Sequence, residues 1–428
     1  MVIPRIVIAG TSSGAGKTTI ATGIMAALSN VAAFKVGPDF IDPSYHALAT
    51  GRPGRNLDAF LSSPELIAPL VRHGSQGADI AVIEGVMGLY DGASGRGELA
   101  STAHVAKLLQ APVVLVVNCE AMARSVAAIV HGYRTFDPDV NVAGVILNKV
   151  GSSFHADILR EALPDIPVLG ALHRNPSLEV PERHLGLVPV AERKPRARGV
   201  IEHLGAAMKE YCDLEALVAL AKSAPELPGD AWAPKDEPAN VRVAIARGPA
   251  FSFHYEENLE LLTGAGAELA EFDPLHDEAL PADTDALVLA GGFPEIFGDE
   301  LSSNTGLRTA IAAFDGPILA ECGGLLYLAE TLDERPMCGV LPVEAHMTGR
   351  LTLGYREATS LSDHPVWPAG TVTRGHEFHY SRVSAAGNAW EHHRGREGHV
   401  AGKVHASYLH THWAATPEVA DRLVAAYG

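Results

Sequence analysis

Residues 5–19 read Arg-Ile-Val-Ile-Ala-Gly-Thr-Ser-Ser-Gly-Ala-Gly-Lys-Thr-Thr, an apolar run that leads directly into a glycine-rich segment. This pattern predicts a buried strand, a phosphate-binding loop and a helix that follows the loop. A strict Walker A pattern has glycine five residues before Gly16, whereas this chain has Thr11 there and Gly10 one residue further back. The loop is therefore a variant, but its small residues still allow backbone N–H groups to face phosphate oxygens.

The residues of this loop are predicted to bind ATP. Lys17 would reach the outer phosphates, and the hydroxyl of Thr18 would ligate Mg²⁺. Asn148 follows the apolar run of residues 142–147 and is predicted, with Lys149, to contact adenine. The complete set of predicted ATP-binding residues is Gly14, Gly16, Lys17, Thr18, Thr19 and Asn148.

Short apolar runs alternate with helical stretches, and this pattern predicts an α/β fold with parallel sheets covered on both faces. The runs before the middle of the chain are residues 5–9, 32–36, 80–83, 112–117 and 142–147, and those after it are residues 241–246, 286–289 and 317–320. Between the two sets, residues 224–239 contain four prolines and show neither the period of a helix nor that of a strand. We therefore expect an ATP-binding domain over residues 1–223, a linker over residues 224–239 and a second α/β domain over residues 240–428.

Three carboxylates are predicted to lie at one edge of the first sheet. Glu84 ends the run of residues 80–83, while Asp39 and Asp42 follow the run of residues 32–36. Because the carboxyl ends of parallel strands meet at the same edge, Glu84 and Asp42 are predicted to hold Mg²⁺ together with Thr18. Either aspartate could instead position an acceptor, and Asp-Pro and Gly-Pro pairs also form ordinary turns.

A second reactive group is predicted at residues 316–325, which read Gly-Pro-Ile-Leu-Ala-Glu-Cys-Gly-Gly-Leu. Cys322 would lie at a sharp turn between a strand and a helix, where the helix N-terminus favours the thiolate and the glycines let a substrate approach. Gly291 and Gly292 follow another buried run and are predicted to form an oxyanion hole. His410 is a candidate base, with His376 and His379 as alternatives.

The composition excludes several classes of protein. The chain has 33 basic and 51 acidic side chains, a net charge of −18, which disfavours nucleic acid or an anionic membrane as the main partner. No apolar run approaches the roughly 20 residues that a spanning helix needs. The four cysteines show no CxxC spacing, which fits neither a disulfide framework nor a zinc site. We expect a cytoplasmic protein.

The motifs resemble those of known families. Ala290-Gly291-Gly292, Glu321-Cys322-Gly323-Gly324 and Tyr408-Leu409-His410 resemble the class I glutamine amidotransferase domain of the cobalamin-pathway type, which has a flavodoxin-like α/β fold. The first half resembles P-loop ligases of the dethiobiotin synthetase type. Taken with residues 34–43, 181–187 and 354–357, the whole chain resembles the cobyrinate a,c-diamide synthase family.

This resemblance implies a glutamine-hydrolysing carbon–nitrogen ligase that uses ATP and Mg²⁺. It implies that L-glutamine and a polycarboxylate tetrapyrrole are the other substrates, and that the a and c carboxylates are amidated through acyl phosphates. Cys322 and His410 would release ammonia from the side-chain amide of glutamine. The implied acceptor-side residues are Asp39, Asp91, Arg55, Arg183 and His184. A homodimer is one candidate assembly, which the sequence leaves open.

The sequence departs from the family pattern at two positions. Class I triads have a glutamate two residues after the histidine, but this chain has His412 there, so a Cys-His pair without a positioned acid is expected. Gly248 stands where the family commonly has aspartate. Two alternatives stay open: a cobyric acid synthase-like amidation of other side chains, and a P-loop switch ATPase with a degenerate amidotransferase lobe.

Overall fold

A computed structural model of the chain describes residues 2–175, 182–183, 186–187 and 194–426. Its contacts divide the chain into two compact units, Met1–Ala233 and Pro234–Gly428. The boundary falls within the proline-rich segment of residues 224–239. Among the helices of the described residues, none has both the length and the apolar character that crossing a bilayer requires.

The first unit contains a parallel sheet whose central strand leads into the phosphate loop. Its strands are β1 (Arg5–Gly10), β2 (Val31–Val36), β3 (Gly54–Leu57), β4 (Ile80–Glu84), β5 (Val113–Asn118), β6 (Val142–Val150) and β7 (Val168–His173), followed by the short antiparallel pair β8 (Glu182–Arg183) and β9 (Gly186–Leu187). The sheet order is β3-β2-β4-β1-β5-β6-β7. All five apolar runs predicted here are confirmed as strands. Since every residue of β1 is buried, its apolar run reads as continuous.

Helices cover this sheet, and some of them begin at a short polar side chain that caps the first turn. They are α1 (Lys17–Ala27), α2 (Ile41–Thr50), α3 (Ile67–Gly74), α4 (Thr102–Leu108), α5 (Ser125–Thr135), α6 (Ser153–Glu161), α7 (Lys194–Tyr211) and α8 (Leu214–Lys222). Ser101 accepts the N–H of His104 at the start of α4, and Ser152 accepts that of His155 at the start of α6. Such caps satisfy backbone donors that the first helical turn leaves without a partner.

The second unit combines a largely parallel sheet with a second, mainly antiparallel one. Its strands are β10 (Val241–Ala246), β11 (Ala267–Phe272), β12 (Ala286–Leu289), β13 (Ile318–Glu321), β14 (Thr331–Leu332), β15 (Arg335–Pro336), β16 (Glu344–Ser360), β17 (Val372–Val383), β18 (Trp390–His392), β19 (Gly395–Glu397), β20 (His399–Ala401), β21 (Val404–Ser407) and β22 (His410–Thr411). The first sheet has the order β11-β10-β12-β13-β21-β20, and the second has β15-β14-β16-β17-β22. The three predicted strands are confirmed as β10, β12 and β13.

The helices of this unit are α9 (Glu256–Gly264), α10 (Gly298–Ser303), α11 (Thr305–Ala312), α12 (Gly323–Leu328) and α13 (Glu418–Ala425). The unit has one main apolar core, to which β10, β12, β13 and α12 contribute. Because β13 ends at this core and α12 begins in it, the turn between them is held from both sides. This turn holds Cys322, which is 5% exposed.

The proline-rich segment has no helix or strand, as its sequence predicted, yet both of its halves are packed. Arg72 donates to Leu227 O at 2.7 Å, and the N–H of Trp232 donates to Pro69 O at 3.0 Å. Further on, Lys235 pairs with Asp421 at 2.7 Å. Residues before Pro234 therefore contact the first unit and residues after it contact the second.

Candidate active sites of the two units

The glycine-rich segment between β1 and α1 forms a tight loop that only small residues permit. Gly14 and Gly16 have φ angles of 74° and 97°, in the left-handed region that favours glycine. A β-carbon added at Gly16 would lie 2.1 Å from Nδ2 of Asn148. Lys17 Nζ donates to Ser12 O at 3.0 Å and thus spans the loop. This geometry matches a phosphate-binding loop in which the lysine lies over the concave side.

Asn148 forms a hydrogen bond with the backbone of the phosphate loop. Its Nδ2 donates to Ala15 O at 2.9 Å, and its Oδ1 accepts the N–H of Lys149 at 2.9 Å. Both ends of the amide therefore already have protein partners. The structure supports a role in bracing the loop, while the predicted contact with adenine stays a prediction.

The three predicted magnesium ligands lie together at the carboxyl edge of the sheet. Thr18 Oγ1 donates to Glu84 Oε1 at 2.6 Å and lies 3.4 Å from Asp42 Oδ2. Lys35 Nζ, on the neighbouring β2, lies 2.5 Å from Asp42 and 2.8 Å from Glu84. His46 Nε2 contacts the other oxygen of Glu84 at 2.7 Å. Both carboxylates thus meet at the Thr18 hydroxyl, with a buried ammonium between them.

The charges of this cluster depend on one another. Burial raises the pKa of Glu84, but the charge of Lys35 and the hydrogen bond to His46 outweigh it and leave that pKa well below its usual range. Burial lowers the pKa of Lys35, but Asp42 and Glu84 outweigh it and raise it. Burial, followed by the charges of Asp39 and Glu84, raises the pKa of Asp42. Lys35 is therefore a fixed cation beside the phosphate loop.

The donor set of this cluster fits Mg²⁺ in its chemistry. Thr18, Asp42 and Glu84 offer only oxygen atoms, which Mg²⁺ prefers, and Mg²⁺ commonly binds through few protein groups and substrate phosphates. Among the described residues there is no group of three or more His, Cys, Asp or Glu side chains that could hold a metal ion alone.

The predicted acceptor-side aspartates have local structural partners. Asp39 Oδ1 accepts the N–H groups of Ile41 and Asp42 at 2.6 and 3.1 Å, and so caps the start of α2. Asp91 Oδ2 accepts the N–H of Gly88 at 2.9 Å. A β-carbon at Gly88 would lie 3.2 Å from Thr11 O, so this turn packs against the phosphate loop. Both aspartates lie near the loop, and acceptor binding by them stays a prediction.

Of the predicted basic residues of the acceptor site, the structure describes the side chain of Arg55. Arg55 lies within β3, is 8% exposed, and its stem is close to Gly74 at the end of α3. Its role as a substrate ligand stays a prediction. Arg183 lies in β8, and His184 is outside the described residues.

Cys322 occupies a strained turn between β13 and α12. Its φ and ψ angles are 47° and −98°, which cost energy for a residue with a β-carbon and are typical of functional sites. Its N–H donates to Ser407 O at 2.7 Å. A β-carbon at Gly324 would lie 2.1 Å from Leu289 O, so glycine is required for α12 to approach β12. The predicted sharp turn is present.

His410, the predicted base, interacts with the thiol and with Glu321. Burial lowers the pKa of His410, but the charge of Cys322, the hydrogen bond with Cys322 and the charge of Glu321 outweigh burial and raise the pKa to about 10. Glu321 Oε2 lies 3.6 Å from His410 Nδ1. The sequence predicts a Cys-His pair without a positioned acid, whereas the structure brings the Glu321 carboxylate to within this distance of the histidine. Its role as the acid of the site is a prediction.

The two alternative bases have other partners. His376 stacks on His410, with ring centroids 4.9 Å apart, and its Nε2 lies 2.9 Å from the Tyr255 hydroxyl. His379 Nδ1 lies 2.9 Å from Ser381 O, and its ring stacks on Tyr408. The choice of His410 over these two histidines as the base stays a prediction.

The predicted oxyanion turn lies against the Cys322–His410 pair. A β-carbon at Gly291 would lie 2.5 Å from His410 Cε1, and one at Gly323 would lie 3.0 Å from the backbone nitrogen of Gly292. A β-carbon at Gly292 itself would lie 2.1 Å from Ala250 O. Both glycines are thus required by close packing, and their role as oxyanion donors stays a prediction.

Sequence reasoning missed Glu321, His46 and the position of Lys35 between the carboxylates. One signal was available for His46, since it lies four residues after Asp42 on α2 and therefore on the same helix face. Lys35 and Glu84 end neighbouring strands, but only the pairing of β2 with β4 shows that they are opposite each other. Glu321 directly precedes Cys322 in the sequence, but its contact with His410 depends on the position of β22 in the fold.

Models of two protein families match the chain, one in each unit. Residues 6–188 match the CobQ/CobB/MinD/ParA nucleotide binding domain, and residues 242–418 match the CobB/CobQ-like glutamine amidotransferase domain. A hydrogenobyrinate a,c-diamide synthase of Streptomyces coelicolor is 54% identical over 99% of this chain and 97% of its own length.

More distant relatives extend the same match. A hydrogenobyrinate a,c-diamide synthase of Mycobacterium tuberculosis is 49% identical over 99% of this chain and 98% of its own length. A cobyrinate a,c-diamide synthase of Methanothermobacter thermautotrophicus is 46% identical over 97% of this chain and 98% of its own length. The chain therefore belongs to the family of hydrogenobyrinate and cobyrinate a,c-diamide synthases, which are glutamine-hydrolysing carbon–nitrogen ligases.

Proposed function

We propose that the chain converts the a and c side-chain carboxylates of a corrinoid or related tetrapyrrole into amides, using ATP and glutamine. The observation that supports this most directly is the intact thiol site, in which Cys322, His410 and Glu321 converge. A switch ATPase with a degenerate second lobe would have no use for a strained cysteine paired with a buried histidine and an acid.

In the thiol unit, Cys322 Sγ attacks the side-chain amide carbon of glutamine. His410 holds the proton of the thiol and gives it to the leaving nitrogen, so that ammonia departs and a thioester remains. Glu321 faces Nδ1 of His410 and stabilises the imidazolium. Water then cleaves the thioester, releasing glutamate and restoring the thiol.

In the nucleotide unit, a carboxylate oxygen of the macrocycle attacks the γ-phosphorus of ATP, and ADP leaves. The acyl phosphate that forms is open to ammonia, which yields the amide and inorganic phosphate. Lys17 and the loop N–H groups stabilise charge on the transferred phosphoryl group. Thr18, Asp42 and Glu84 would hold Mg²⁺, whose chemistry is to neutralise phosphate charge. Lys35 adds a second fixed cation at this edge.

Mass spectrometry of the product tests the proposal. Wild-type protein is incubated with ATP, Mg²⁺ and glutamine together with hydrogenobyrinate, cobyrinate or Ni-sirohydrochlorin in parallel. We expect two amidations per macrocycle, and the preferred macrocycle identifies the natural metal state. One or four amidations would overturn the a,c assignment, and four would favour the cobyric acid synthase reaction.

A glutaminase assay separates the two half-reactions. Cys322→Ala is expected to release no ammonia from glutamine, yet to support amidation when ammonium salts replace glutamine. Glutamine-dependent ammonia release that persists in Cys322→Ala would contradict the proposed role of the thiol. A homodimer stays a prediction, which light scattering of the full chain checks.

A further inference from the structure

His376 and His410 are direct neighbours across two strands. The register of β17 and β22 places His376 opposite His410, on the same face of the sheet. The two rings are 4.9 Å apart with an angle of 16° between their planes. His376 is 3% exposed and His410 is 1% exposed. One face of the His410 ring is therefore covered by a parallel imidazole.

The His376 ring is itself held from the side of α9. Its Nε2 lies 2.9 Å from the hydroxyl of Tyr255, which precedes α9 and is buried. The Tyr255 ring also lies 4.8 Å from the ring of His412. His412 Nε2 in turn lies 3.3 Å from Glu257 Oε2, between two side chains that are each 1% exposed. This row of buried rings fixes the plane of His376 independently of the thiol.

We propose that His376 is a positioning residue for glutamine hydrolysis, which fixes the His410 ring by stacking on it and is itself anchored by Tyr255. This inference rests on the proposed role of Cys322 and His410. A ring free to turn about its χ2 axis would face Cys322 and Glu321 only part of the time. Stacking restricts that rotation, so both nitrogens keep their partners when the thiol loses its proton.

The charge of His376 suits this role. Burial lowers the pKa of His376 well below its usual value, and the charge of His410 lowers it further. His376 therefore stays neutral and presents a π face to the cationic His410 ring. Several titratable or charged groups lie near the two rings. They are Glu321 at the end of β13, Cys322 directly after it, Arg356 on β16, Tyr255 before α9, Glu257 on α9 and His412 after β22.

The rate of Cys322 alkylation by iodoacetamide tests the proposal in the full chain, without ATP or macrocycle. His376→Ala removes the stacked face, and we expect the alkylation rate at neutral pH to fall about tenfold, with a narrower pH range. Tyr255→Phe removes only the anchoring hydroxyl, and we expect a fall of about threefold. Glutaminase kcat should fall in the same ratios, while the KM for glutamine changes less than about twofold.

His364→Ala is the matched control, because His364 is a histidine of the same unit that is 2% exposed and bonds to backbone groups. It should leave the alkylation profile unchanged. An unchanged profile in His376→Ala, or an equal loss in His364→Ala, would overturn the proposal. If His376→Ala does not fold, Tyr255→Phe decides, and an unchanged rate there overturns it. Failure of the thiol site itself has a different signature, namely glutaminase activity that survives Cys322→Ala.

Discussion

Glu321 Oε2 lies 3.6 Å from His410 Nδ1, although the two residues are far apart in sequence. The other oxygen, Glu321 Oε1, accepts the N–H and the hydroxyl of Thr411 at 3.2 and 2.8 Å. Since Thr411 follows His410 directly, the carboxylate is fixed to the same strand that bears the base. In the proposed mechanism the acid therefore comes from the end of β13, directly before Cys322, in place of the residue two positions after the histidine.

Replacing Glu321 by glutamine is expected to lower glutaminase kcat by about 10- to 100-fold, because a neutral amide no longer stabilises the imidazolium. Glutamine keeps an oxygen for Thr411, so the strand should stay in place. Steady-state ammonia release measures the effect, and Glu330→Gln is a control at an exposed position of the same unit. Activity within twofold of wild type would show that the contact has no role in catalysis.

The pH profile of glutamine hydrolysis should extend unusually far into the alkaline range. The charge of Cys322, the hydrogen bond with Cys322 and the charge of Glu321 outweigh burial and raise the pKa of His410 to about 10. The imidazolium, which protonates the leaving nitrogen, therefore persists below that value and is lost as pH rises through it. A profile of kcat against pH is expected to fall near pH 10, about three units above an ordinary histidine. A fall near pH 7 would contradict the ion pair.

The same shift has a consequence for stability. A histidine whose pKa is raised in the folded state stabilises that state fully below its unfolded value of about 6.5, and the contribution is lost as pH rises through about 10. Cys322→Ala removes the largest raising cause. In this variant the imidazole of His410 is expected to titrate at lower pH, as measured by NMR. The variant should also lose less stability than wild type between neutral and alkaline pH.

Lys17→Ala is expected to abolish ATP-dependent amidation and to keep glutamine hydrolysis, the opposite of Cys322→Ala. Loss of the cation that spans the phosphate loop should lower amidation by more than about 10³-fold, because charge on the transferred phosphoryl group is no longer stabilised. Ammonia release from glutamine without macrocycle should stay within a few-fold, since it depends on residues of the other unit. Lys222→Ala, at an exposed position of α8, is the control.

The sequence predicted the buried parallel strands because an apolar run that is covered on both faces is continuous. It did not predict β16 and β17, which alternate between exposed and buried residues and pair mainly with each other. Of these two strands, β17 places His376 opposite His410 on β22. Motif reasoning singled out Cys322, His410 and Lys17, and it predicted that Thr18, Asp42 and Glu84 lie together, as the structure has them.

The remaining parts of the sites depend on pairing between distant segments. Lys35 lies between Asp42 and Glu84 because β2 and β4 are neighbours, and no local pattern in the sequence specifies that neighbourhood. Arg55 shows the same limit. It lies in a proline- and glycine-rich segment, which gives no sign in the sequence that the segment forms β3 or that the side chain is buried.

Glu397 offers a test of the buried polar groups that hold the strand before His410. Its carboxylate accepts the hydroxyl of Ser407 and the N–H of Tyr408, both at 2.9 Å. Burial, aided by the charge of Glu377, raises the pKa of Glu397 to about 8, although hydrogen bonds from Tyr408 and Ser407 oppose the shift. The folded state therefore binds a proton between pH 4.5 and about 8 that the unfolded state has released.

The sign of the effect follows from that proton. The stabilising contribution of Glu397 is present at low pH and is lost as pH rises through about 8, where the folded state must hold a buried charge. Glu397→Gln stays neutral and keeps one acceptor oxygen for the N–H of Tyr408, while its amide group can donate to the hydroxyl oxygen of Ser407. It should match wild type near pH 5 and be more stable near pH 9 by about 1 kcal/mol, or about 2–4 °C in Tm. Thermal denaturation at both pH values measures this, with the exposed Glu391→Gln as control. A lower Tm for Glu397→Gln at pH 9 would mean that Glu397 is ionised and stabilising there, contrary to its raised pKa.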